Sequence, residues 1–221
     1  ILAANRSEIA IRIFRAAEES NIKTAAIYSK EDRFALHRYK TDESYLVGQD
    51  KGPIQAYLDI SGIIKIAKEA HIDAIHPGYG FLSESPEFAK ECLENNIVFI
   101  GPSPEILTKL GNKTEAIKVA NQAKVKTIPS VAIEKQSQKN LQGSIKAIGY
   151  PVMVKASWGG GGRGMRIVNS EKDLLDQIKN AQSESKKAFG KDEVFIEKFL
   201  DDVAHIEVQI LGDQYGNIIH L

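Results

Sequence analysis

Cysteine is almost missing from this chain, and so is any charge imbalance. Cys92 is the sole thiol in 221 residues, which excludes an internal disulfide and fits a reducing compartment. Lys+Arg and Asp+Glu both number 29, so no global electrostatic case exists for nucleic acid or a membrane surface as partner. No apolar run approaches the roughly 20 residues of a membrane span. The opening Ile1-Leu-Ala-Ala-Asn-Arg6 has no charged segment ahead of an apolar core, so it does not read as a signal peptide. Structural zinc spacings, a G-x-S-x-G elbow, Cys/His nucleophile patterns and internal repeats are all absent. The hydrophobic content of 43% is ordinary and allows real cores in one large or two small domains. Ile1–Ala4 and Asn217–Leu221 both read as strands without a boundary signal, so a longer chain is expected.

Glycine, by contrast, is concentrated. In Tyr150-Pro-Val-Met-Val-Lys-Ala-Ser-Trp-Gly-Gly-Gly-Gly-Arg-Gly-Met-Arg-Ile-Val-Asn169 a β-type run ends on Lys155, and Gly159, Gly160, Gly161, Gly162 and Gly164 follow. Such a run is costly to order and packs nothing. A backbone that must lie against a bulky anion justifies it, because bare N–H groups then face the anion. A Walker A loop would need Lys-Ser/Thr and a helix behind the glycines, and a dinucleotide fingerprint would also open a helix. Here Met165–Val168 reads as a strand instead. Strand, glycines, strand predicts a hairpin flap over a nucleotide; the bland alternative is a floppy hairpin tip or linker.

Residues 1 to about 101 alternate strand and helix. Strands are expected at Ile1–Ala4, Thr24–Tyr28, Ser44–Val47, Asp73–His76 and Ile97–Ile100. The first helix carries Ile9, Ile13, Phe14 and Ala17 at helical spacing, with Ser7 or Asn5 as N-cap. Another is expected near Ala35–Lys40, then one capped by Asp59 or Ser61 and one opened by Ser85-Pro86. The pattern predicts a parallel sheet wrapped on both faces, with ligands at the carboxyl ends of its strands, near Asn5-Arg6, Ser29-Lys30 and His76–Gly80. A helical connector follows, broken at Gly111-Asn112. The second part holds a short strand in Thr127–Val131, a polar stretch from Glu134, and a helix Leu141–Ile148 ended by Gly149. After the glycine stretch come a helix from Glu171 to Ala188, a strand Val194–Phe199 and an alternating strand His205–Leu211. That last strand pairs in a hairpin with Asn217–Leu221, one face polar and one apolar.

Lys155, on an otherwise apolar strand, either snorkels to solvent or binds phosphate; a buried-strand charge without an anion is expensive, which favours phosphate. Lys113, after a helix break, either reaches the same phosphates or is a surface lysine. Glu197-Lys-Phe-Leu200 is either an edge strand with a solvated charge pair or a hinge reading an adenine. His205, Glu207 and Gln209 share a face and either line a site or face water. His37 and His71 read as surface helix residues, and His76-Pro-Gly-Tyr-Gly80 as a tight reversal.

Ala4-Asn-Arg-Ser-Glu-Ile-Ala-Ile-Arg12, His76-Pro-Gly-Tyr-Gly-Phe-Leu-Ser-Glu84, Phe99-Ile-Gly-Pro102 and Lys155-Ala-Ser-Trp-Gly-Gly-Gly-Gly-Arg-Gly-Met-Arg166 together resemble the biotin carboxylase family. His37–Val47 and Ala56–Ile60 look more like the pyruvate than the acetyl-CoA carboxylase branch. Ser7 and Trp158 stand where many members carry glycine. The resemblance implies an α/β fold: a Rossmann-like (pre-ATP-grasp) parallel-sheet domain, residues 1–111, and a connector, 112–126. An incomplete ATP-grasp domain would follow, with its glycine-rich lid in 127–200 and the start of its C-terminal subdomain in 201–221.

The resemblance further implies that Lys113 and Lys155 contact nucleotide phosphates and that Gly160, Gly161 and Gly162 cap them. Glu197, Lys198, Phe199 and Leu200 would hold the adenine, and His205 would lie near the ribose. The reaction implied is ATP-dependent carboxylation of biotin by bicarbonate through carboxyphosphate, with Mg²⁺ or Mn²⁺. Biotin would sit on a separate carrier domain, and a carboxyltransferase domain would pass the carboxyl on to an acceptor, for instance to pyruvate, giving oxaloacetate. A homo-oligomer is implied, cytoplasmic in a bacterium or in the mitochondrial matrix of a eukaryote. The family's metal, bicarbonate and biotin residues match nothing up to Leu221, so no catalytic or metal residue is assigned and the 221 residues alone are expected to be inactive. Rival readings are an acetyl-CoA or acyl-CoA carboxylase, another ATP-grasp ligase or a carbamoyl-phosphate synthase half, and a non-catalytic nucleotide-binding module.

Overall fold

The fold is taken from a computed structural model that describes residues 1–133, 138–158 and 165–221. The glycine run from Gly159 to Gly164, with Gly160, Gly161 and Gly162, and much of the polar stretch after Glu134 lie outside the described residues. The chain divides into two units, Ile1–Val119 and Ala120–Leu221.

In the first unit β1 (Leu2–Ala3), β2 (Ala25–Tyr28), β3 (Glu43–Leu46), β4 (Ala74–His76) and β5 (Val98–Phe99) form a parallel sheet in the order β3-β2-β1-β4-β5. Alternation along the short strands feeds two cores. Ala3 and Ala26 face α1 (Ser7–Glu19), which buries Ala10, Ile13, Phe14 and Ala17 at helical spacing. Leu2, Ile27 and Ile75 face the other way. They pack with Ile63, Ile64 and Ala67 of α3 (Ile60–Glu69) and Phe88 and Cys92 of α4 (Pro86–Glu94). Burial pushes the Cys92 thiol up to about 11, which leaves it a packing residue. The remaining helices are α2 (Pro53–Tyr57), α5 (Pro104–Gly111) and α6 (Lys113–Gln122).

Local chemistry sets the helix starts. Asp59 accepts from the Gly62 amide at 3.2 Å, and Ser85 from the Phe88 amide at 3.1 Å with Pro86 behind it. For α1 the expectation fails. Its N-cap is Arg6 without a side-chain cap bond, because the Asn5 side chain is engaged elsewhere and Ser7 adopts φ 57°. That left-handed backbone gives a physical reason for glycine at this position in the resembling family. The helix expected near Ala35–Lys40 is instead two 3₁₀ turns, Glu31–Phe34 and Leu36–Tyr39, separated by Ala35 in extended backbone.

The second unit is an antiparallel sheet in the order β6-β9-β7-β8, built from β6 (Ser130–Ala132), β7 (Val152–Ala156), β8 (Arg166–Val168) and β9 (Val194–Lys198). Val152, Val154, Val168, Val194 and Ile196 turn one face onto α7 (Gln138–Ile148) and α8 (Glu171–Phe189). Leu141, Ile145, Leu174, Ile178 and Ala181 meet them there. Gly190, at φ 74°, ends α8 in a conformation that suits glycine. Beyond the sheet, only Ile210–Gly212 (β10) and Ile218–His220 (β11) pair as a hairpin. The expected strand thus begins five residues later than His205, and apolar side chains on both faces are exposed, Ile206 by 84% and Ile219 by 51%.

Candidate nucleotide site

The helix-free face of the second sheet is where polar chemistry gathers. On β7 and β9 the pairs Met153↔Glu197 and Lys155↔Phe195 alternate with core residues, so Lys155 and Glu197 project from the face opposite α7 and α8. Their side chains form an ion pair, with Lys155 26% and Glu197 12% exposed. A cation and an anion on one partly buried surface suit a ligand carrying both donors and negative oxygens.

The neighbouring end of β9 has an unusual ladder. The Lys198 amide donates to the Pro129 carbonyl at 2.9 Å, and the Phe199 amide to the Pro151 carbonyl at 3.2 Å. In an antiparallel pair the partner normally donates back. Proline has no N–H, so neither proline returns a bond to the carbonyls of Lys198 and Phe199. Strand-end acceptors of this kind can receive an exocyclic amine. The Lys198 ammonium is committed to the fold, donating to the carbonyls of Gly149 at 3.0 Å and Tyr150 at 3.2 Å. Only its backbone is left to face a ligand. Leu200 follows, about half exposed.

The other sequence-predicted residues belong to other segments of the chain. His205 is 82% exposed, its Nε2 3.0 Å from Glu207 Oε1, outside any strand of the sheet. Lys113 begins α6 in the first unit, where Asn112 Oδ1 accepts from the Thr114 amide at 2.9 Å and the Glu115 amide at 3.2 Å. Arg166, opposite Val154 on the helix side of β8, donates to Glu184 of α8 at 3.0 Å. Among the described residues no group of three His, Cys, Asp or Glu side chains could hold a metal ion.

In the first unit the turns after β1 and β4 meet where the strand order reverses. Asn5 Nδ2 donates to the carbonyls of Pro77 at 2.7 Å and Tyr79 at 2.9 Å. Gly78 has φ +67°, and a Cβ there would stand 2.7 Å from Asn5 Nδ2. Arg6 bonds Asp32 at 3.2 Å and lies over the rings of Tyr57 and Phe81, at 5.6 and 5.7 Å. The Tyr57 hydroxyl donates to Asp32 at 2.7 Å and accepts from the Ser29 amide at 3.2 Å. Burial first, then that bond to Asp32, raises its pKa. Burial lowers the pKa of His76, whose Nδ1 accepts from the Gly78 amide at 3.0 Å. Asp32 and Tyr57 were not singled out from sequence. The signal was an acid just past a strand end, and only folding brings the tyrosine to it.

Residues 1–107 match the family model described as biotin carboxylase, N-terminal domain, and residues 112–221 that of the carbamoyl-phosphate synthase L chain, ATP binding domain. The pyruvate carboxylase of Bacillus subtilis is 54% identical over 221 residues, all of this chain and 19% of that protein. Human mitochondrial pyruvate carboxylase is 50% identical over the same span, again 19% of its length. The chain therefore spans about one fifth of these relatives. A solved biotin carboxylase domain, that of Hydrogenobacter thermophilus 2-oxoglutarate carboxylase with MgADP, ADP and bicarbonate, is 44% identical at a TM-score of 0.92, covering 99% of this chain and 48% of that one.

Proposed function

The chain belongs to the biotin carboxylase family, and from that premise we propose that it grips ATP for the bicarbonate-dependent carboxylation of biotin. The observation that carries this is the sheet face turned away from α7 and α8, where Lys155 and Glu197 stand beside strand-end carbonyls that prolines leave without return bonds. In this reading Lys155 turns from Glu197 to the phosphates, and Glu197 and the backbone of Lys198, Phe199 and Leu200 take the adenine. Lys113 is assigned to the phosphates, Gly160, Gly161 and Gly162 to capping them, and His205 to the ribose.

Bicarbonate oxygen attacks the γ-phosphorus and ADP leaves; the carboxyphosphate so formed splits into CO2 and phosphate, and CO2 bonds to a ureido nitrogen of biotin as that nitrogen gives up its proton to the phosphate. The chain's share is positioning and neutralisation of phosphate charge by its lysines. Mg²⁺ belongs with this chemistry, but the described residues offer no ligand set for it, and no step here is assigned to it. We assign residues 127–200 to the lid subdomain and 201–221 to the start of its neighbour. Biotin would arrive on a carrier domain, a carboxyltransferase would use it on pyruvate, and the whole enzyme would be a homo-oligomer. Its compartment would be the cytoplasm in a bacterium or the mitochondrial matrix in a eukaryote. The biotin carboxylase match of residues 1–107 favours this over a carbamoyl-phosphate synthase half, although the ATP-binding domain model carries that name.

The test is a graft. This chain replaces the 221 residues it matches in the B. subtilis enzyme, and ATP cleavage is followed with and without bicarbonate. Bicarbonate-dependent cleavage is expected. Lys155→Gln in the graft should lower kcat/KM for ATP about 100-fold, the ~2.7 kcal/mol or more lost with one charge-stabilising group. A graft that binds ATP without cleaving it would support a non-catalytic module instead. Unchanged kinetics in the variant would remove Lys155 from the site.

A further inference from the structure

Trp158 is the only tryptophan in the chain, and it stands three residues past Lys155, just beyond the end of β7. It is held from two sides by one short connection, residues 190–193, between α8 and β9. Its indole N–H donates to the Glu193 carboxylate. The Lys191 ammonium lies 3.3 Å from the ring centroid, a cation over a π face. The adjoining Ser157 amide donates to the Glu193 carbonyl at 3.0 Å. The connection is itself anchored, because the fully buried Ser185 of α8 donates its hydroxyl to the Lys191 carbonyl at 2.7 Å. A chain of contacts therefore runs from the core of α8 through Lys191 and Glu193 to the exit of β7.

We propose that Trp158 is a positioning residue for the nucleotide site. Clamped between Lys191 and Glu193, it fixes the end of β7 against the start of β9 and so holds Lys155 in place beside Glu197. This rests on the nucleotide reading above and adds a residue to it. Glycine at this position would keep the Ser157 amide bond but lose both the cation–π contact and the indole donor. Lys155 pairs by backbone with Phe195, two residues beyond Glu193, so slack at the clamp reaches the lysine within one strand turn of the ladder. Phenylalanine would keep a ring face for Lys191 and lose only the bond to Glu193.

The experiment has two arms, exchange on the 221-residue chain and ADP binding on the B. subtilis graft described above. Amide hydrogen exchange is read at Lys155 and Ser157, with Leu174 and Ile178 of α8 as the reference for global stability. ADP affinity is measured by titration into the millimolar range. Trp158→Gly should speed exchange at Lys155 and Ser157 about tenfold, leave the α8 amides unchanged, and weaken ADP about tenfold, with Trp158→Phe between it and the native chain. Unchanged exchange at Lys155 and Ser157 overturns the clamp. Faster exchange with native ADP affinity overturns the positioning role. A graft with native Trp158 that fails to bind ADP sinks the nucleotide reading and this role with it, and the exchange arm then reports separately whether the clamp exists.

Discussion

His37 is fully buried, with Nε2 3.1 Å from the Ile27 carbonyl and Nδ1 without a partner. A neutral ring protonated on Nε2 satisfies the carbonyl; a second proton would place a charge in an apolar setting. Desolvation accordingly lowers its pKa from the ordinary 6.5, outweighing the opposing pulls of the Ile27 carbonyl and then Asp32. His76 is lowered by burial too, and its Nδ1 must stay unprotonated to accept from Gly78. Because both folded values lie below the unfolded one, the unfolded chain binds more protons in that window. Their contribution is complete above pH 6.5 and is lost as pH falls below it, by at most about 1.4 kcal/mol per pH unit for each histidine. Urea unfolding between neutral and mildly acid pH should show that slope, and His37→Gln should flatten it; equal slopes would refute the assignment. A helical face was the wrong template for this residue. His37 lies on a 3₁₀ turn, whose side chains repeat every three residues, so the surface reading placed it on the wrong side.

Pro129 and Pro151 shape an element rather than fill a core. By lacking an N–H they stop the ladder from using the last carbonyls of β9. Pro129→Ala would supply a donor opposite Lys198, within reach of the carbonyl assigned to the adenine. One competing hydrogen bond of ~1 kcal/mol should weaken ADP about fivefold with the sheet intact by circular dichroism; undiminished affinity would take the Lys198 carbonyl out of the site. Most elements were legible because their causes are local. Alternation in Val152–Ala156, helical spacing in α1 and serine caps before proline all act within a few residues. The stretch from His205 alternates just as cleanly, yet only Ile210–Gly212 is a strand. Alternation says which way side chains would point, whereas a strand also needs a partner, and β11 offers three residues. The site shows the same limit. Lys155 and Glu197 each looked ambiguous alone, and pairing β7 with β9 put them on one face.

Each unit carries its own apolar core, one built around Leu2, Ile63 and Phe88 and the other around Ile145, Leu174 and Ile196. Trp158 belongs to the second unit and is the chain's only tryptophan, so its emission follows one core while far-ultraviolet circular dichroism follows both. Ile63 and Leu174 are both fully buried, and truncating either to alanine should cost about 2–5 kcal/mol. With a urea dependence of ~1–3 kcal/mol per molar for small domains, the affected midpoint should move by about 0.7–5 M. Leu174→Ala should shift the tryptophan midpoint by that amount. Ile63→Ala should shift the circular dichroism curve and leave tryptophan emission where it was, because its cavity opens in the other core. Should Ile63→Ala move the tryptophan midpoint as far as Leu174→Ala does, the two cores would unfold as one cooperative body, since coincident transitions from different probes are the mark of a single step. Separate transitions would mean that the sheet proposed to grip ATP keeps its stability on its own core, and that damage to the first unit would affect the proposed nucleotide binding only by other routes.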